Sequence, residues 1–238
     1  MTEIRVFDDA DELGAALADE IIGSYGRSNG AFLLGCPGGR SLRSTYRALA
    51  SRRPDLSRST IVMMDEYVPT PPVEADYSCR GFGLREICGP LAIPEERLWV
   101  PDPEDPAAYD DRIAARGGID MFLIASGASD GHVGFLPPGS ARDGRTAVVR
   151  LAESTRRDNL RTFPEFTSVD DVPEHGVSVG LATITDARRA RLVLHGADKR
   201  EAAARVTALD AFDPSWPATV IHACADGEIW LDRQAAAA

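Results

Sequence analysis

The chain of 238 residues is poor in the features that mark specialised protein classes. Its four cysteines, Cys36, Cys79, Cys88 and Cys224, are widely scattered, with neither C-x-x-C spacing nor the density of a disulfide scaffold. Reduced thiols in a cytoplasmic protein are therefore expected. There are only four histidines, and no pair has metal-ligand spacing such as H-E-x-x-H, so no metal is expected. No apolar run approaches the roughly 18 to 20 residues needed to span a bilayer. Residues 1–11 carry four acidic side chains and no apolar core of a signal peptide. Positive charge is also scarce: 26 Lys and Arg face 37 Asp and Glu, for a net charge of −11. Such a chain repels a phosphate backbone at long range, which argues against nucleic acid as a partner. A small anionic substrate stays open, because a few convergent donors override the global field locally. The G-x-x-x-x-G-K-[ST] and G-x-G-x-x-G spacings of nucleotide loops are missing.

What is there reads as one ordinary globular domain over residues 1–238, with 44% hydrophobic and 26% charged residues. Short apolar runs at 31–34, 60–64, 119–124, 177–181, 190–194, 219–221 and 228–231 are expected strands. Amphipathic stretches at 10–25, 107–116 and 199–208 are expected helices, with another carrying Leu42, Tyr46 and Leu49 on one face. Residues 94–106, rich in proline and acid, read as a surface connection, and 234–238 as a frayed tail. Strands alternating with helices imply an α/β fold, a three-layer αβα sandwich around a mostly parallel sheet. Ligands of such sheets bind outside the carboxyl ends of the strands. The segments just beyond the strand ends therefore carry the functional reading.

Three strand ends are rich in reactive groups. The first is Gly35-Cys-Pro-Gly-Gly-Arg-Ser41, just before a helix. It is either a tight strand-to-helix turn or an anion cradle of backbone N–H groups. The second is Met64-Asp-Glu-Tyr67, whose successive acids point to different sides, so one of them faces the crevice. Asp65 there is either a base for proton abstraction or a capping acid. The third is Ser126-Gly-Ala-Ser-Asp-Gly-His132, where Asp130 lies two residues from the acid–base candidate His132. His175, His195 and His222 stand alone. Arg161 and Lys199 are available to clamp a phosphate, or are solvated surface charges.

These segments, in this order, resemble the glucosamine-6-phosphate deaminase and 6-phosphogluconolactonase superfamily from about Ala31 to Leu231. Its most specific pieces are Met64-Asp-Glu-Tyr-Val68, Asp130-Gly-His-Val-Gly-Phe135 with Pro138-Gly-Ser140, and Thr155-Arg-Arg-Asp-Asn159. These, with residues 177–186, look like the deaminase branch; Pro37-Gly-Gly-Arg-Ser41 and Gly196-Ala-Asp-Lys199 look more like lactonases. The resemblance implies a modified Rossmann-like sheet and conversion of an amino-hexose 6-phosphate to the ketose phosphate plus ammonia, without a cofactor. It implies Asp65 as the proton shuttle between C2 and C1, and His132 with Asp130 as the ring-opening pair. Gly38, Gly39, Arg40, Ser41, Arg161 and Lys199 are the implied phosphate site. A homo-oligomer is compatible with this reading.

Three departures stand out. Deaminases carry a glutamate where this chain has Pro137, which cannot tune an imidazole and points toward a lactonase-type hydrolase. Arg80 replaces a histidine and is a candidate partner for a substrate carboxylate. Ala147 and Val149 stand where regulated deaminases have basic residues, so no allosteric amino-sugar site is expected. The alternatives are a 6-phosphogluconolactonase-type hydrolase and a non-catalytic sugar-phosphate sensor.

Overall fold

The structure, a computed structural model, describes residues 2–28 and 32–237. Ala31, the start of the first expected strand, lies outside the described residues, as do Met1 and Ala238. In chain order the elements are β1 (Glu3–Phe7), α1 (Ala10–Arg27), β2 (Leu33–Cys36), α2 (Arg43–Arg52), β3 (Thr60–Met63), β4 (Asp65–Val68) and α3 (Cys79–Phe82), which runs on into a π-helical turn. Next come β5 (Leu98–Trp99), α4 (Pro106–Ala115), β6 (Met121–Ala125), β7 (Ala147–Arg150), α5 (Glu153–Thr162), β8 (His175–Ser178), α6 (Leu181–Thr185), β9 (Ala190–Leu194), α7 (Arg200–Thr207), β10 (Gly227–Asp232) and α8 (Arg233–Ala236).

Seven strands form a parallel sheet in the order β1-β10-β9-β6-β2-β3-β5. Alternation along each strand sends neighbouring side chains to opposite faces. Leu34, Ile61, Met63, Met121, Leu123 and Trp230 pack on one face beneath α1 and α2. Leu33, Val62, Phe122, Ile124, Leu192 and Ile229 pack on the other beneath α4, α6 and α7. Both faces are apolar, which is why these strands read as continuous hydrophobic runs. The expected αβα sandwich is what the chain forms. Asp9 opens α1 by accepting from the backbone N–H groups of Asp11 and Glu12.

The sheet order reverses between β2 and β6. The chain leaves β2 for β3 and β5 on one side, and leaves β6 for β9 and β10 on the other. The two strands pair at Leu34–Met121 and Gly35–Phe122, and the Phe122 ring occupies the space over Gly35, where a Cβ would lie 2.7 Å from it. A crevice opens at their carboxyl ends.

Four expectations need correction. Residues 177–181 do not join the main sheet: β8 pairs antiparallel with β4 and β7 in a separate three-stranded sheet, and Leu181 begins α6. The chain turns there because Gly180 lies against the backbone of Gly144, where a Cβ would sit 1.9 Å from its carbonyl oxygen. Residues 219–221 lie in a buried 3₁₀ helix, Pro217–Ala223, with proline in its first turn and the Thr219 hydroxyl bonded back to Trp216 and Asp213 carbonyls. The connection 94–106 contains the buried edge strand β5. The tail winds into α8, capped by Asp232 through the Ala235 N–H, with Ala235 buried against the rest of the fold.

Candidate active site

The crevice at the β2/β6 switch is a cavity of about 420 Å³, within the range of small-molecule sites. Gly38, Gly39, Arg40, Ser41, Asp65, His132, Arg161 and Lys199 all line it. Of the residues expected for proton transfer and phosphate binding only Asp130 is set back, reaching the crevice through His132.

One end is built from the loop between β2 and α2. Gly39 turns the chain with φ +83°, a conformation that other L residues rarely adopt. The loop is anchored from both sides: Tyr46 Oη donates to the Pro37 carbonyl at 3.1 Å, and His195 Nε2 meets the Ser41 carbonyl at 3.0 Å. His195, which stands alone in sequence, thus holds the loop in place. Among the described residues no side chain caps α2; its Arg43 N–H donates to the Arg40 carbonyl at 3.2 Å, and the crevice is lined by the preceding residues Gly38 to Ser41. Lys199, in the turn after β9, donates from Nζ to the Ser126 carbonyl at 2.7 Å and so ties that turn to the loop after β6. Burial lowers the Lys199 pKa, Arg40 adds to that, and Asp198, Asp158 and Asp130 oppose it. Arg161 projects from α5, largely exposed, with Asp158 Oδ1 4.0 Å away. Arg156, one turn earlier, donates instead to the carbonyls of Val169 and Val172.

At the other end lies Asp65, the first residue of β4 and only 6% exposed. Its Oδ1 accepts from Cys79 Sγ at 3.2 Å. Burial pushes its carboxyl up to about 7; Glu66 adds to the rise, while the Cys79 hydrogen bond and the charge of His132 oppose it. The neighbouring acid points away, as alternation requires. Glu66 is buried and accepts from the backbone N–H groups of Cys79 and Arg80 and from the Ser78 hydroxyl, fixing the start of α3. The Asp65–Glu66 pair therefore divides into one group aimed at the cavity and one that holds the wall.

His132, on the loop after β6, lines the same crevice as Asp65. Its Nδ1 lies 2.7 Å from Asp130 Oδ1, and its backbone N–H donates to the same oxygen at 3.1 Å. Ser154 Oγ donates to the other oxygen of Asp130. Burial works against the Asp130 charge, yet the hydrogen bond and charge of His132, with the Ser154 hydroxyl, outweigh it and hold the carboxyl at about 2. An ionised carboxylate only accepts, so Nδ1 carries the proton and Nε2 is left for the crevice. The loop takes this path because of its glycines. A Cβ on Gly127 would lie 2.1 Å from His132 Nδ1, and one on Gly134 would lie 3.0 Å from Asp65 Oδ2.

Tyr67 and Phe135, with ring centroids 4.7 Å apart, form an aromatic wall. Cys79 and Ser154 join the site although no motif marks them, and Asn159, the last residue of the Thr155–Asn159 motif, lines the crevice. Arg80 is corrected: its guanidinium pairs with Glu95 at 2.6 Å and it is not among the crevice residues. Pro137 also stands outside the crevice lining. Among the described residues, no group of three or more His, Cys, Asp or Glu side chains is placed to hold a metal ion, and no helix is long and apolar enough to cross a membrane.

Comparison with known proteins identifies the family and the fold. The family model described as glucosamine-6-phosphate isomerases/6-phosphogluconolactonase matches residues 8–230. A glucosamine-6-phosphate deaminase of Rhodococcus jostii is 37% identical over 225 residues, covering 90% of this chain and 84% of that protein. The solved structure of a monomeric glucosamine-6-phosphate deaminase superposes with a TM-score of 0.90 at 26% identity, covering 98% of each chain. The 6-phosphogluconolactonase of Trypanosoma brucei shares the fold, with a TM-score of 0.76 at 19% identity over 99% of this chain and 98% of that one. With a family match over most of its length and a relative above 30% identity across nine-tenths of it, the chain belongs to the glucosamine-6-phosphate isomerase/6-phosphogluconolactonase family.

Proposed function

We propose that this enzyme converts an amino-hexose 6-phosphate of the glucosamine 6-phosphate type, plus water, to the ketose 6-phosphate and ammonia. The observation that carries the reading is the buried carboxylate Asp65, raised to about 7 and lining, with His132, the crevice that also holds the anion-binding loop. A base with a pKa near the working pH is matched to removing a proton next to a carbonyl.

In this reading the N–H groups of Gly38, Gly39, Arg40 and Ser41, with Lys199 and Arg161, hold the phosphate. Fixing that distant charge positions the sugar for the chemistry. Nε2 of His132 takes the proton of the anomeric hydroxyl and returns it to the ring oxygen, which opens the pyranose to the aldehyde. From the ammonium form of the open sugar, Asp65 removes the C2 proton while one ammonium proton passes to O1, giving an enolamine; the Asp65 carboxyl then delivers its proton to C1, leaving an iminium at C2. Water adds at C2 and passes a proton to nitrogen, the C–N bond breaks with its electron pair leaving on ammonia, and the C2 hydroxyl releases its proton to solvent to give the ketose. Asp130 stabilises the imidazolium that exists between the two proton transfers of ring opening. We further propose a single domain over residues 1–238, working in the cytoplasm on a small phosphosugar.

One observation favours a second reading. With proline at 137, no second carboxylate supports His132, and an imidazole held by one carboxylate is also suited to activating water on a 6-phosphogluconolactone ester. A non-catalytic sensor would need only the phosphate loop and has no use for a buried Asp65. Ammonia release from glucosamine 6-phosphate, run beside lactone hydrolysis with His132→Ala as control, decides between them. Ammonia above the control supports the deaminase; accelerated lactone hydrolysis without ammonia moves the assignment to the hydrolase.

A further inference from the structure

Proline at 137 removes one support from His132, and the structure supplies another from a distant part of the chain. Ser154 lies in the first turn of α5, 24 residues beyond Asp130, and its hydroxyl donates to Asp130 Oδ2. Oδ1 is taken by the backbone and Nδ1 of His132. Both carboxylate oxygens are thus occupied, by donors from two separate elements. A carboxylate held only on one oxygen is free to turn about its Cβ–Cγ bond, and its imidazole partner turns with it. A donor on the second oxygen removes that freedom. Ser154 is not among the crevice residues, so it acts through Asp130 and does not meet the substrate.

We propose that Ser154 is a positioning residue that fixes the Asp130 carboxylate, so that His132 keeps its proton on Nδ1 and presents the Nε2 lone pair to the crevice. The proposal rests on the reading of His132 as the proton-transfer group for the cyclic substrate, and it names what takes over from the carboxylate that Pro137 displaces. Being uncharged, the hydroxyl aligns the pair without adding a second negative charge, so a single carboxylate balances the imidazolium formed during turnover. None of these hydrogen bonds involves Gly38 to Ser41, so the expected effect falls on kcat more than on phosphate binding.

The test pairs a spectrum with kinetics. In ¹H–¹⁵N correlation spectra of the imidazoles at neutral pH, the wild type is expected to show His132 with a protonated Nδ1 and a low-field Nδ1 proton. Ser154→Ala is expected to broaden or lose that proton and to populate both tautomers. Ser154→Thr, which keeps the hydroxyl, restores the wild-type signal, and Ser154→Cys, a weaker donor, falls between. With glucosamine 6-phosphate, Ser154→Ala is expected to lower kcat about 10-fold with KM little changed, as for loss of a hydrogen bond to a charged group. A His132 signal and kcat both unchanged in Ser154→Ala would overturn the proposal, as would an equal loss in Ser154→Thr. If the wild type turns over no glucosamine 6-phosphate, the substrate reading fails, and the His132 spectrum alone still decides the role of Ser154.

Discussion

At the anchoring end of the crevice, Arg40 and Arg161 leave 56% and 78% of their side-chain surface in solvent, while His132 and Asp130 at the proton-transfer end leave 13% and 12%. The exposed end is built mainly from backbone N–H groups and flexible cations, which adjust to a phosphate as it arrives. The enclosed end is built from short hydrogen bonds: Cys79 to Asp65, His132 to Asp130, Ser154 to Asp130. Binding a charged group tolerates give, because Coulomb attraction falls off slowly with distance. Moving a proton between carbon atoms does not, because the base must sit within hydrogen-bond reach. Burial raises the Asp65 carboxyl to about 7, whereas its own hydrogen bonds pull the Asp130 carboxyl down to about 2. Two carboxylates in one site are thereby assigned different work by their surroundings.

The strongest way to break this division is Asp65→Asn. It should reduce kcat by about 10²- to 10⁴-fold, with phosphosugar binding by calorimetry kept within a few-fold. Equal losses in binding and turnover would remove Asp65 from the role of base. The same variant sharpens the contrast through stability. The folded pKa of Asp65 lies above the ordinary value, so between about pH 4 and 7 the folded state holds more of its proton than the unfolded one. Stability from this group is therefore full below about pH 4 and is lost as pH rises through 7. Asp65→Asn should melt higher than wild type at pH 8, by on the order of 1 to 4 kcal/mol, with the gain shrinking toward pH 5. A midpoint difference that is flat with pH would contradict the burial argument.

Lys199→Met should act in the opposite way to Asp65→Asn. It should raise KM by roughly 10- to 100-fold with kcat nearly kept, because the contact it removes is made equally in the ground and transition states. A collapse of kcat alone would place Lys199 at the chemistry. A smaller effect is expected from Cys79→Ala. Its thiol favours the ionised form of Asp65, so its removal should move the acid limb of kcat/KM to higher pH, while Cys79→Ser restores it. An unmoved limb would show that the thiol does not tune the base. The smallest change is expected from Arg161→Ala, about 2- to 5-fold in KM and fading at high salt, as suits an exposed cation.

The same contrast explains what could be read from the chain alone. β2, β3, β6, β9 and β10 are buried on both faces, so they stand out as apolar runs. β1 alternates as Glu3-Ile-Arg-Val6 but is short and mostly exposed, β4 is the polar run Asp65-Glu-Tyr-Val68, and α5 buries only Thr155, so none of them forms a continuous apolar run. Asp130 and His132 lie two residues apart, and the glycine loop is continuous, so both are visible as motifs. Cys79 reaches Asp65 across 14 residues and Ser154 reaches Asp130 across 24. Those contacts depend on where α3 and α5 pack, which local sequence does not encode. Arg80 misleads for the same reason: its place beside the Ser78–Cys79 turn is near the crevice in sequence, but its side chain turns to Glu95.

The most direct test of the central claim is to track glucosamine 6-phosphate with the purified protein in D₂O by ¹H NMR. The account predicts loss of the substrate C2 proton and formation of fructose 6-phosphate with its C1 hydrogens supplied by transfer and solvent exchange through Asp65. Asp65→Asn should leave the C2 proton in place. Isomerisation at an undiminished rate by Asp65→Asn, or wild-type protein that leaves the C2 proton untouched while hydrolysing 6-phosphogluconolactone, would contradict it.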